Sequence, residues 1–181
     1  LLAPVAAFAD DQVHHSNSRP IDEIVVTADP LESVDSHFAA PVTVLDKKAL
    51  RRESTRSIGE TVSNQLGVNS SDFGASVGRP VIRGLGGGRV RVLEDGIGTM
   101  DLSTISGDHG VAIESIFAKQ VEILRGPATL LYGSGASGGL VNVANGRILS
   151  ETPDGVEADA YSHYDTAADG WLGAVELNAG S

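Results

Sequence analysis

The chain has 181 residues, with 13 basic against 24 acidic side chains, 22 glycines, eight aromatics and no cysteine. That length holds one domain with room for an appendage, and the net charge of −11 excludes a nucleic-acid binder, whose affinity comes from clustered Lys and Arg. The missing thiols exclude a disulfide scaffold, a Cys-type zinc finger, an iron–sulfur centre and a cysteine nucleophile in this chain. Acidity suits a cationic ligand or partner, and serves equally well for solubility. Few aromatics imply a modest, loosely packed core, and glycine at nearly twice its average share of about 7% implies much turn and loop.

Residues 1–9 are almost wholly apolar and end in Ala7-Phe8-Ala9 before Asp10-Asp11. A small-x-small site behind an apolar run reads as the tail of a secretory signal peptide, with the mature protein starting near Asp10. Residues 10–19 are polar, carry His14-His15 and are expected to be disordered. Asp22-Glu23-Ile24-Val25-Val26-Thr27-Ala28 is a short β-branched run, stopped by Asp29-Pro30, with no strand near it in sequence. Residues 41–45 read as a strand, after which Asp46 caps a short helix reaching about Arg51. Ser54 opens a second helix, with Ile58, Val62 and Leu66 on one face and Gly67 as its stop.

Residues 81–83 and 90–93 read as strands joined by a Gly-rich loop at 84–88, and Asp95-Gly96 is a tight-turn signal. The spacing predicts a helix over 112–119, then a strand at 121–124 that Arg125-Gly126-Pro127 breaks, then a strand at 140–143. The uncharged run 126–146 is long enough to span a bilayer, but six Gly, two Ser and two Asn deny it a continuous apolar surface. From Val156 the period becomes two. Val156, Ala158, Ala160 and Tyr164 alternate with Glu157, Asp159, His163 and Asp165, and Trp171, Gly173, Val175, Leu177 and Ala179 share one face of a second segment. Two such segments with Tyr161, Tyr164 and Trp171 gathered among them match a transmembrane β-hairpin or a soluble amphipathic one.

Four patterns bear on chemistry. Gly133-x-Gly135-x-x-Gly138 matches a dinucleotide fingerprint, but the β-branched segment after it supplies no helix dipole for a pyrophosphate. Gly135-x-Ser137-x-Gly139, with Asp159 and His163 downstream, matches the order of a serine hydrolase triad, again without the helix that should follow the nucleophile. Arg79, Arg83, Arg89 and Arg91 form a basic patch suited to phosphate, or more simply to ion pairs with acidic neighbours. Asp108-His109 puts two zinc-ligand types in a Gly-flanked loop, unless Asp108 only caps the helix expected after it.

Longer segments carry a resemblance. Pro80-Val81-Ile82-Arg83-Gly84, Val90-Arg91-Val92-Leu93-Glu94-Asp95-Gly96, and the run 121–143 with Arg125-Gly126-Pro127 and Tyr132-Gly133 resemble the plug domain of TonB-dependent outer-membrane receptors. The resemblance covers about residues 41–147. It implies an α+β fold with a small mixed sheet and short helices, followed by the first hairpin of a truncated outer-membrane barrel of about 22 strands. The implied layout is a signal-peptide remnant at 1–9, a flexible N-terminus at 10–40, a plug at 41–150 and barrel strands at 151–181. Residues 22–28 resemble the TonB box, which adds as a strand to a TonB sheet. Ser106-Gly107-Asp108-His109 is most similar to the zinc-uptake receptors, where such a pair contributes to a zinc site, although Gly110 and its successors depart from that pattern. The resemblance thus implies uptake of zinc or another metal or metal complex rather than catalysis. Its implied partners are the TonB C-terminal domain and the chain's own barrel, with no nucleic acid. The implied location is the outer membrane, with plug and box reached from the periplasm. A periplasmic hydrolase using Ser137, Asp159 and His163, and a soluble metal module using His14, His15, Asp108 and His109, are the alternatives.

Overall fold

The computed structural model describes residues 42–74, 76–100, 102–145, 154–166 and 169–180. The signal-like stretch, His14-His15 and the 22–28 segment lie outside these residues.

A five-stranded mixed sheet organises residues 42–145. Its strands are β1 (Val42–Asp46), β4 (Val90–Glu94), β5 (Ile97–Gly98), β6 (Gln120–Leu124) and β7 (Gly139–Ala144), in the order β1-β6-β7-β4-β5. Only β4 and β7 run parallel; the other neighbours are antiparallel. Alternate side chains of a strand face opposite sides. Val121, Ile123, Val141, Val143, Val90 and Val92 therefore meet one cluster, while Leu124, Leu140 and Leu93 meet another with Val42 and Tyr132. Burial on both faces makes β6 and β7 nearly continuous apolar runs, and the core is fully closed at Val62, Ile82, Val121, Ile123, Val141 and Val143. That is tighter than the aromatic count implies, because branched aliphatics fill the space. Glu122 and Asn142 are the buried polar exceptions on these strands. Asn142 Nδ2 and Gln120 Nε2 donate to the Glu122 carboxylate at 3.2 and 2.6 Å, as a buried acid requires.

Two short helices cover the first face. In α1 (Lys47–Glu53) the Asp46 carboxylate accepts the Ala49 N–H at 2.7 Å, and Leu50 enters the core. The second helix departs from expectation. Ser54 closes α1, its N–H on the Leu50 carbonyl at 2.7 Å, and Ser57 rather than Ser54 caps α2 (Ile58–Val62). Leu66 is 93% exposed. The chain leaves the helix after one turn through successive three-residue turns, and Gly67 at φ +72 redirects it into β2 (Val68–Ser70). Strand β2 pairs with β3 (Pro80–Ile82) in a separate small sheet.

The helix expected over 112–119 is also absent. A single 3-10 turn at Ser115–Phe117 stands there. Val111 and Ile113 pack on the core and Ser115 is buried, a period of two, so tertiary contacts hold this segment nearly extended. The C-terminal alternation forms a hairpin of two 11-residue strands, β8 (Gly155–Asp165) and β9 (Gly170–Gly180). Its register places Val156 on Ala179, Ala158 on Leu177, Ala160 on Val175 and Tyr164 on Trp171, joining the apolar residues of both strands on one exposed face. That length matches a transmembrane strand of about 9–11 residues.

Candidate functional site

Two loops, 71–77 and 105–110, meet at the surface. In the 105–110 loop the Ser106 hydroxyl donates to Asp108 Oδ1, and His109 Nε2 lies 3.9 Å from the same oxygen. The Ser106 hydrogen bond, then a backbone one, then the neighbouring imidazole hold the Asp108 carboxyl below the usual carboxylate range. Both side chains are solvent-exposed. The loop approaches residues 71–77 through its glycines: a Cβ at Gly107 would stand 3.0 Å from the Phe73 ring, and one at Gly110 would stand 2.9 Å from the Ser76 carbonyl oxygen. Asp108 caps no helix, since none begins there. Asp108 and His109 offer a carboxylate and an imidazole side by side, but no group of three or more His, Asp or Glu is placed to hold a metal among the described residues. A tetrahedral site would need further ligands from elsewhere.

The remaining motif residues build the plug itself. Arg83 at φ +50 and Gly84 at φ +79 form the turn after β3. Asp95 and Gly96, at φ +49 and +79, make the two-residue β4–β5 hairpin loop. Their turn is tied to β7: Asp95 Oδ1 accepts the Asn145 N–H and Asn142 Oδ1 accepts the Gly96 N–H, both at 2.9 Å. Arg125, only 7% exposed, donates from Nη1 to Thr43 Oγ1 at 2.8 Å and from Nη2 to the Leu66 carbonyl at 3.1 Å. Burial, with Arg83 nearby, pulls this guanidinium below its ordinary pKa. Gly126 at φ +95 and Pro127 then start the 3-10 run Pro127–Tyr132, which Gly133 at φ +98 ends.

The Gly-rich stretch is a packing device, not a cofactor loop. A Cβ at Gly138 would lie 2.8 Å from the Leu85 Cβ, and one at Gly139 would lie 2.6 Å from the Ile82 Cδ1. No helix follows Ser137. The hydrolase triad fails as well. Asp159 and His163 are four residues apart on one extended strand, about 13 Å along it, and Asp159 is bound by Lys47 and Arg51. His163 stacks on Tyr161 at 6.5 Å. Two members of the basic patch also bond within the fold. Arg79 is buried, donating to Ser103 Oγ at 2.8 Å, and Arg91 donates to the Tyr132 carbonyl at 3.2 Å. Hydroxyl and carbonyl oxygens are among the acceptors of these cations, which no charge pattern predicts.

Sequence reading missed the contact between plug and hairpin. Lys47 Nζ and Arg51 Nη2 each donate to the Asp159 carboxylate at 2.5 Å, and Arg56 Nε lies 3.2 Å from Asp165 Oδ2. The only signal available was opposite charge in distant segments: five bases and one acid over 47–56, six acids and no base over 154–180. The polar face of β8 therefore meets the plug, and the apolar face of the hairpin points away from it.

The family model of the TonB-dependent receptor plug domain matches residues 35–140. Among solved structures, the siderophore receptor PirA from Acinetobacter baumannii is similar with a TM-score of 0.58 at 23% identity, over 85% of this chain and 23% of that one. A variant of the ferric enterobactin receptor PfeA from Pseudomonas aeruginosa is similar with a TM-score of 0.59 at 19% identity, over 85% and 23%. The copper transporter OprC gives 0.52 at 22% identity, over 67% and 18%. At such identities the likeness is one of fold, and the chain spans about a fifth of the length of these structures. With more than half of its residues matched by the plug model, the chain belongs to the TonB-dependent receptor plug family and is part of an outer-membrane receptor, not an enzyme.

Proposed function

We propose that this chain is the gating part of a receptor that imports a metal ion or metal complex across the outer membrane, zinc being the first candidate. The plug blocks the barrel, ligand binds where the two loops meet, and TonB grips residues 22–28 to displace the plug. The observation that carries the metal reading is the exposed Asp108–His109 pair, whose carboxyl pKa the Ser106 hydrogen bond lowers further below the ordinary carboxylate range. Barrel loops would complete the ligand set. On the same two loops Phe73 is 65% exposed, and Ile105 is exposed as well. These apolar groups favour a second reading, a larger metal complex with organic surface, in keeping with the siderophores and copper named for the similar structures. Uptake of radioactive zinc by cells carrying the full-length receptor tests the first reading. Asp108→Ala with His109→Ala abolishes high-affinity uptake if the pair binds zinc. Undiminished uptake refutes that role and leaves the metal-complex reading.

A further inference from the structure

The plug touches the first barrel strand through charge rather than through apolar area. Helix α1 turns Leu50 into the plug core and carries Lys47 and Arg51 on the adjacent face, half exposed, both on Asp159. One turn of chain later Arg56 takes Asp165, six residues along the same strand. Between the two acids Tyr161 and His163 share the inward face and stack on each other. Around Asp159 the gap between α1 and the hairpin narrows to a cavity of about 30 Å³, lined by Ser54, Phe117 and Tyr161 among others. Around Arg56 and Asp165 it widens to about 300 Å³, with Glu60, Glu114 and Trp171 on its walls. The contact is a pair of ionic points on either side of stacked rings, with the tighter point at α1.

We propose that Lys47, Arg51 and Arg56 form a two-point ionic seat that registers the plug against the acidic inner face of the first barrel strand, and that this seat opens when the plug is displaced. Three features support release rather than permanent fastening. Exposed ion pairs are each worth little and are screened by salt, so the seat can let go without unfolding the plug. The same helix keeps its apolar anchor, Leu50, on the plug side, so α1 leaves the wall together with the plug sheet. Lys47 and Arg51 sit on the first helix after β1, the sheet's edge strand and the described strand nearest in sequence to the segment that TonB would pull. The seat rests on the reading of the chain as a plug within a barrel, but it is measurable without transport.

Ser54 supplies the probe. It lines the narrow gap, is 7% exposed, and its hydroxyl has no hydrogen-bond partner among the described residues, so Ser54→Cys is a mild change. The chain has no other cysteine. In the full-length receptor, with any cysteines outside this chain replaced, maleimide labelling of that thiol reports whether the gap is closed. Asp159→Lys is expected to speed labelling about tenfold, and the added swap Lys47→Glu with Arg51→Glu to restore the slow rate. As a control that needs no charge reversal, raising the salt concentration speeds labelling with both acids present and has no effect when Asp159→Asn is combined with Asp165→Asn. Unchanged labelling in Asp159→Lys, or a salt response that survives the double Asn variant, overturns the seat. If labelling behaves as expected while radioactive zinc is not imported, the seat stands and the zinc reading falls.

Discussion

Glycine at defined positions does more in this fold than any catalytic-type residue. Gly59 is the sharpest case: a Cβ there would stand 2.6 Å from the Gly78 carbonyl carbon and 2.7 Å from the Arg79 backbone, while the Gly59 N–H already bonds the Gly78 carbonyl at 3.2 Å. Backbone cannot yield as a flexible side chain can, so Gly59→Ala is expected to cost about 1–3 kcal/mol. The check is the denaturant midpoint of plug unfolding in the purified receptor, and an unchanged midpoint would contradict the close approach. In the 105–110 loop, Asp108 has a lowered pKa in the folded chain, with Ser106 as the largest cause. The sign follows directly: the ionised carboxylate steadies the loop at pH above the ordinary carboxylate range, and that effect is lost only as pH falls through the lowered value. Ser106→Ala is therefore expected to move the Asp108 titration upward, read from its carboxyl carbon chemical shift. A titration that stays in place would show that the hydroxyl is not the cause.

At the scale of elements, the main strands and the first helix with its Asp46 cap were legible, and the second helix and the 112–119 segment were not. Short β-branched apolar runs mark β6 and β7 in sequence, alternation marks the C-terminal hairpin, and Asp95-Gly96 announces its turn, because strand patterning and φ-positive turn residues are local properties. The second helix and the 112–119 segment were misread because long-range packing decided them. Ile58 and Val62 do face the core, but Gly67 and the turn to β2 take Leu66 out of the pattern; Val111 and Ile113 contact the core from an extended chain. The ion pairs to Asp159 and Asp165 join residues more than a hundred positions apart, beyond any local signal. The Asp108–His109 pair was legible as residue types, whereas its Ser106 partner was visible only in the fold. The inner strand β6 carries the stability expectation: Ile123→Ala, fully buried between β1 and β7, is expected to lose about 2–5 kcal/mol. Hydrogen exchange across β6 and β7 would report it. The 22–28 segment is expected to bind the TonB C-terminal domain as an added strand, and Val25→Pro to weaken that binding by removing a ladder donor. Equal affinity of the two peptides, by calorimetry, would remove the box assignment.

The molecule as a whole makes sense when its two surfaces are taken together. The plug turns cations toward β8, β8 answers with carboxylates, and the outer face of the hairpin presents Val156, Trp171, Val175 and Leu177 away from the plug. On the proposed reading this face meets lipid, where strand edges must be paired within a closed barrel. Val175→Lys on that face is expected to cost about 2–4 kcal/mol if the position lies near the bilayer midplane, lowering the yield of heat-resistant barrel in the outer membrane. Normal yield would place the face elsewhere than in lipid. Residues 154–180 hold six acids and no Lys or Arg, and two of those acids meet the plug's cations. The central claim, a plug moved by TonB, is tested most directly by deleting residues 22–28 from the full-length receptor and measuring surface binding and uptake of radioactive zinc and of a ferric catecholate in the same cells. The account predicts that binding of the transported species persists while its uptake stops; uptake that continues at the original rate would contradict it.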